Sequence, residues 1–360
     1  MAVGLTKVGW LQLFTQMRGP SKFLSRLFTV KPGGIYNGGK VAIDIERFGE
    51  DVAVVVKRCT GPNLNDIDIF TTKEFTPPSY GEAFPLDVCD LIERMAGVDP
   101  FAAAMVDYAS QMTAKMAKGF VVVMNMIERA VELQASQILQ TGKLTLTDKN
   151  GATVYELDFK PKGTHFPNAA AIWSGTSDKL GDLQALADVI SNDGQVDVDR
   201  AIFGATALNL FLDDDDVKAR LDNRRMELGE VAPELRDSGA VFYGHVWVGT
   251  RRIEMWAYSG TFKHPETGDV TKYVEADKVI MLSSRTRLDM TSARVPLPLG
   301  PDPRVASLVP GRVSSQAEGF DVTPNVYATP NGKQIMGEVE SRPLLIPVQI
   351  DGFGCLDTIF

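Results

Sequence analysis

Residues 99–140 constrain the fold of this chain more than any other stretch. Phe101, Met105, Tyr108, Met112, Met116, Phe120, Val123, Ile127, Val131 and Ile138 recur mostly three or four residues apart, tracing one face of an α-helix. Asp99 suits the N-cap, Pro100 the first helical position and Gly142 the stop. Roughly 40 residues at 1.5 Å rise give a rod of about 60 Å, with Gly119 as a candidate bend. Such a helix is longer than a globular core needs and implies an elongated lobe. Met105, Met112, Met116, Met124 and Met126 along it read as adaptable core packing, not as a ligand box.

The rod needs partners, and the flanking sequence supplies them. Ahead of it, Val8, Leu11, Phe14, Phe23, Leu24, Leu27 and Phe28 suggest an arm of two short helical pieces separated at Arg18-Gly19-Pro20. Val41, Ile43 and Ile45 alternate with Ala42, Asp44 and Glu46, and Gly49-Glu50-Asp51 can turn that strand into residues 52–57 as a hairpin. Residues 66–75 are again extended and stop at Pro77-Pro78. The region 40–85 has few large apolar clusters, so it should project from the body and seek a partner.

Behind the rod, residues 143–159 read as a hairpin turning at Asp148-Lys149-Asn150-Gly151. Helices are expected over 180–190, up to Leu212, and over 213–226, the last acid-first and base-last; strands are expected over 200–205, 241–248 and 252–258. These elements make a second α+β lobe. Strands follow from Lys278, around Val326 and over 344–350, with a Pro-rich stretch over 296–310 between them.

Composition narrows the function. With 360 residues, 44% hydrophobic and 23% charged, the chain can bury a sizeable core and suits two lobes. Its 37 Lys+Arg against 46 Asp+Glu leave a formal charge of −9, the wrong sign for a protein that lives by neutralising phosphates. The densest basic pairs, Arg251-Arg252 and Arg285 with Arg287, read as solvated surface. Cys59, Cys89 and Cys355 are odd in number and far apart, so neither a disulfide framework nor a zinc site is indicated and a reducing cytosol fits. No apolar run approaches the ~20 residues of a membrane span, and no export signal is expected.

A search for chemistry finds no P-loop, GxGxxG, GxSxG or HExxH. His165, His245 and His264 are scattered and read as lone surface or strand residues. Aligning Gly194 with the glycine of a calcium loop puts Val189 at its first position and Arg200 at its last, which excludes an EF-hand. The run Asp213 to Asp216 is explained by the dipole of a helix start without any metal. No catalytic, cofactor-binding or metal-binding residue is expected, and no cofactor.

Four strings then point to a family: Thr72-Lys73-Glu74-Phe75-Thr76-Pro77, Lys218 to Arg225 (KARLDNRR), Trp256-Ala257-Tyr258-Ser259-Gly260, and Ser341-Arg342-Pro343-Leu344-Leu345. In this order the chain resembles the lambda-type major capsid protein E family over residues 26–352. The resemblance implies an α+β Hong Kong 97-like capsid fold. It also implies the following map: an N-terminal arm over 1–34, an extended β-hairpin loop over 35–86, a peripheral domain over 87–167 and 278–360 with its spine helix about 99–140, and an axial domain over 168–277. It implies, further, a subunit that assembles with itself as pentamers and hexamers into the icosahedral head of a tailed bacteriophage. The head would enclose double-stranded DNA without sequence-specific binding and without a membrane. A scaffolding protein, a portal and, as an optional outer partner, a decoration protein would attend it; assembly would take place in the host bacterial cytoplasm and the chain would end in the virion. Two rivals are an encapsulin-like nanocompartment shell, which would enclose protein cargo, and an unrecognised two-lobed enzyme using His245 or the acidic helix start.

Overall fold

The computed structural model describes residues 22–36, 41–46, 70–87, 108–148, 151–173, 177–220, 226–227, 230–231, 234–235, 239–293, 295, 322–330 and 334–359. Its longest element is helix α1, Tyr108–Thr141, 34 residues and therefore about 50 Å long. Asp99 and Pro100 lie outside the described residues. Gly142 ends the helix in a left-handed conformation (φ 65°), its N–H reaching the Ile138 carbonyl at 2.8 Å. Gly119 interrupts nothing: the helix runs through it, and the missing side chain instead lets the Phe84 ring approach the helix backbone.

The first half of α1 buries Met116, Phe120, Val123 and Ile127 against a three-stranded antiparallel sheet of Val322–Ala328, Gln334–Ser341 and Tyr80–Asp87. Tyr80–Asp87 pairs with Gln334–Ser341 along its full length, from Tyr80 opposite Ser341 to Asp87 opposite Gln334. Phe84 stands edge-on to Phe120 at 5.2 Å between ring centroids and sits between Gly119 and Gly337, where a Cβ at either position would overlap its ring. Of the methionines given to the core, Met116 is buried and Met124 partly so, but Met126 is 42% exposed. It stands about 100° round the helix from Ile127, off the packed face.

The second half of α1 buries Val131, Ala135, Ile138 and Leu139 in a core shared with Phe23, Leu24, Phe28, Leu344 and Ile346. At about 1.5–3 kcal/mol for each large apolar side chain, this cluster is a main source of stability. Thr29–Tyr36 adds itself in parallel to Leu288–Ala293, which pairs antiparallel with Pro343–Pro347. The expected hairpin after the helix is Lys143–Thr147 with Thr153–Asp158, its turn closed by the Ala152 N–H donating to Asp148 Oδ1 at 2.9 Å.

A third core lies on a six-stranded sheet in the order Glu234–Leu235, Ala240–Val248, Arg251–Tyr258, Arg200–Phe203, Lys278–Leu282, Phe353–Asp357. Helices α2 (Lys179–Gly194), α3 (Ala205–Leu212) and α4 (Asp215–Arg220) pack with it. Trp173 is wholly buried here, stacked on Phe211 at 5.8 Å, with its indole N–H donating to Asp182 at 2.8 Å. The sheet takes strands from both sides of position 278, so the chain crosses there without leaving the layer.

One local expectation rests partly on residues outside the description, and one is corrected. The described partner of Val41–Glu46 is Phe70–Phe75, in register from Val41 opposite Phe75 to Glu46 opposite Phe70, while residues 52–57 lie outside the description. Alternation identifies a strand but not its mate. The helix expected over 213–226 is shorter: α4 is Asp215–Arg220, and Met226–Glu227 is a strand paired with Glu230–Val231.

Candidate assembly site

The most elaborate polar site joins α1 to the N-terminal segment. Phe23 and Leu24 donate their backbone N–H groups to Glu132 Oε1 at 3.0 and 2.8 Å, and Ser25 donates to Oε2 at 2.9 Å. These are the donors that the short 3-10 turn Ser25–Leu27 leaves unpaired, so a carboxylate more than a hundred residues away caps it. Glu132 is 1% exposed. The Tyr258 hydroxyl also hydrogen-bonds to it, and burial together with that carboxylate pushes the phenol's pKa up. Phe23 closes the site from above, 5.4 Å from Trp256 and 5.5 Å from Tyr258, and Lys22 pairs with Glu128 at 2.6 Å.

Next along the helix, Gln134 donates to the Tyr80 hydroxyl at 2.7 Å and to the Pro343 carbonyl at 3.3 Å, and accepts from the Leu345 N–H at 3.4 Å. Burial pushes the Tyr80 phenol up to about 12. Ser136 and Gln140 both donate to the Tyr273 carbonyl, and Gln140 accepts from the Glu275 N–H at 3.0 Å. At the base of the 41–75 strand pair, the Arg342 guanidinium donates to the Pro77 carbonyl at 3.2 Å. One helix thus holds the N-terminal segment, the strand that follows the 41–75 pair, and two segments from the C-terminal half.

Two of the strings that suggested a family meet in this region. Trp256 to Gly260 forms the bed of Phe23, and Ser341 to Leu345 supplies the carbonyl and N–H that Gln134 reads. Thr72 to Phe75 lies in the strand paired with Val41–Glu46; residues 221–225 lie outside the description. Glu132 itself went unnoticed in the sequence. Its signal was available: it is an acid beside Val131, in the turns where apolar residues surround the helix.

The residues weighed for chemistry are engaged structurally. Asp214 caps α4, accepting from the Asp216 N–H at 3.0 Å, and pairs at 3.1 Å with the buried Lys179. Burial would raise the Asp214 carboxyl, but Lys179 and the helix N–H groups hold it below the ordinary carboxylate value. Arg251 is bound by Asp188 at 2.5 Å and Asp197 at 3.6 Å. His165 is not a surface residue: it is fully buried, its ring meeting the Phe353 carbonyl at 3.0 Å and Asp193 at 3.2 Å. His245 stands 3.9 Å from Glu254, and His264 Nδ1 accepts from the Glu266 N–H in a turn. The Cys355 thiol is pushed up to about 12 by burial and carries almost no thiolate near neutral pH. Among the described residues no three metal-binding side chains converge, and no helix is long and apolar enough to cross a membrane.

Among solved structures the chain is similar to the putative capsid protein of a prophage of E. coli CFT073, at 16% identity, with all of both chains covered and a TM-score of 0.64. It is also similar to a phage-related protein of Bordetella bronchiseptica RB50, at 12% identity over 99% of this chain and 98% of that one (TM-score 0.53). A chain of Gordonia phage Cozz matches at 9% identity over 95% and 88% (TM-score 0.50). At such identities the likeness defines a class by its fold, the mixed helix-and-strand Hong Kong 97-like fold of phage capsid subunits. No curated protein sequence matches. The profile of the family described as phage major capsid protein E matches residues 11–353, nearly the whole chain, and the chain belongs to that family.

Proposed function

We propose that this phage major capsid protein is the repeated subunit of a tailed-phage head, assembling as pentamers and hexamers around double-stranded DNA. The observation that carries this reading is the family match over residues 11–353. In the proposed map, residues 1–34 are an arm, 35–86 an extended loop whose last strand has returned to α1, 87–167 and 278–360 a peripheral domain, and 168–277 an axial domain. The strands Lys278–Leu282 and Phe353–Asp357 bind these last two into one sheet.

The geometry supports such a role. A shell subunit must hold its extended parts at fixed exit angles, because contacts between subunits depend on them. Glu132 holds the N-terminal segment, and Gln134 with Arg342 holds the base of the loop. A scaffolding protein and a portal during assembly, and a decoration protein on the outside, complete the proposal. The work of the chain is structural, with no catalytic step.

Negative-stain microscopy and size-exclusion chromatography, on the chain alone and co-expressed with its neighbouring reading frames, test this. Capsomers, tubes or closed shells tens of nanometres across are expected on the scale of such heads. A persistent small oligomer under every condition would overturn the reading. Particles filled with protein cargo in place of DNA would move it to a nanocompartment.

A further inference from the structure

On α1, Lys118, Val122, Met126 and Arg129 follow one another at spacings of four, four and three, which places them in one stripe along the helix. All four are exposed, Val122 by 53% and Met126 by 42%. The opposite stripe, Met116, Phe120, Val123 and Ile127, is the one buried on the three-stranded sheet. Lys118 and Arg129 make no ion pair with any acid among the described residues. Further along the helix the stripe ends against the segment at Tyr273, whose hydroxyl donates to the Arg129 carbonyl. There Arg129 opens onto a cleft of about 330 Å³ lined also by Tyr258, Ser259, Gly260, Thr261 and Tyr273. The surface is therefore two apolar side chains between two cations that have no ion-pair partner among the described residues, closed at one end by a wall of hydroxyls.

We propose that this stripe and cleft are a docking surface for a second copy of the same chain, which inserts an acidic side chain into the cleft at Arg129 and lays apolar atoms on Val122 and Met126. The inference rests on the shell reading and adds the place and chemistry of one contact. Charge selects the occupant. The chain carries 46 acids against 37 bases and a net charge of −9, so a cationic patch on it complements much of the surface of another copy. Acids stand at the surface: the side chains of Asp215 and Asp197 are 99% and 83% accessible, each also pairing with a cation of its own chain, Lys218 at 3.3 Å and Arg251 at 3.6 Å. The contact is between two different patches, so it repeats head to tail, and a rotation that closes gives a ring. The cleft hydroxyls of Ser259 and Thr261 can donate to a carboxylate beside the Arg129 guanidinium, which supplies the planar pair of donors that a carboxylate fits.

The test is assembly of the full chain carrying Lys118→Glu with Arg129→Glu, scored by sedimentation and negative stain beside the wild type. Both residues are exposed, so the subunit should keep its circular dichroism and melting temperature. The assembled fraction should fall about ten-fold or more, since like charges would face each other across the contact. Wild-type assembly by the variant overturns the inference and leaves the shell reading standing; a wild type that never assembles overturns both. As a second reading, independent of how the double variant folds, a photo-crosslinker at Val122 in wild-type particles should join to an acid-bearing peptide of another copy. Crosslinks only within the chain, or to nucleic acid, overturn it.

Discussion

Over residues 115–130 helix α1 buries one face and shows the other to solvent, whereas over 131–140 every residue but Leu133 and Gln137 is buried. The first half is held on its buried face by apolar contact, through Phe84, Phe120 and the sheet beneath them, with the Lys22–Glu128 pair at its edge. The second carries Glu132, Gln134, Ser136 and Gln140 inside the core, each bonded to another part of the chain. Buried polar groups cost stability unless paired, so a helix that places four of them in three turns has used them to fix where its neighbours lie. One half of the rod organises its own subunit, and the other keeps a face open.

The sharpest way to break that comparison is Glu132→Ala. It strands three backbone N–H groups and the Tyr258 hydroxyl, so a loss of about 3 kcal/mol or more is expected, together with early proteolysis near Lys22. Denaturant unfolding and limited trypsin digestion read both; an unchanged midpoint and unchanged digestion would show that the carboxylate holds nothing. Gly119→Leu should come next, at about 1–3 kcal/mol, because the new side chain must displace Phe84, which Gly337 boxes from the other side. Pairing it with Phe84→Ala should recover part of the loss, and strict additivity would deny the contact. Gln134→Ala should cost about 1–2 kcal/mol through the orphaned Leu345 N–H and Tyr80 hydroxyl. Val122→Ser with Met126→Ser should change subunit stability by no more than about 0.5 kcal/mol, as the open face predicts.

Acid provides a control outside the helix. The carboxyl pKa values of Asp193, held down first by Lys162 and then by His165, and of Asp214, held down by Lys179 against the opposing effect of burial, are lowered in the fold. A lowered folded value gives stability that is present above the unfolded carboxylate value of about 4 and is lost as pH falls below it. Hydrogen exchange at falling pH should therefore open the ends of α2 and the start of α4. Protection that stays flat in those segments down to pH ~2 would contradict the assignment.

How much of this could be read beforehand depended on whether the signal was local. The periodicity of α1 and the turn at Gly151 report on neighbours in sequence, and both elements are there. The mate of Val41–Glu46 is set by a contact some thirty residues away, which alternation does not encode. Sheet order is equally non-local: Lys278–Leu282 lies between Arg200–Phe203 and Phe353–Asp357, partners far from it in sequence. His165 read as a surface residue because polarity was the only cue; its burial follows from Asp193 and the Phe353 carbonyl, neither of them near it in sequence. Glu132 stayed hidden because an amphipathic pattern counts the apolar residues and passes over an acid whose partners are backbone groups.

The Phe84 ring, set between two glycines, has a mechanical meaning. The pair Val41–Glu46 and Phe70–Phe75 leads through Pro77 into Tyr80–Asp87, so a pull on that pair would arrive along the axis of a strand paired over eight residues. Force along the strand loads all its ladder bonds together, as in shear, instead of opening them one at a time as a zipper would. The ring acts as a key in its slot: the strand cannot slide by one register step without driving Phe84 out past Gly119 and Gly337. Tension arriving along that strand would thereby reach α1 through one interlocked ring.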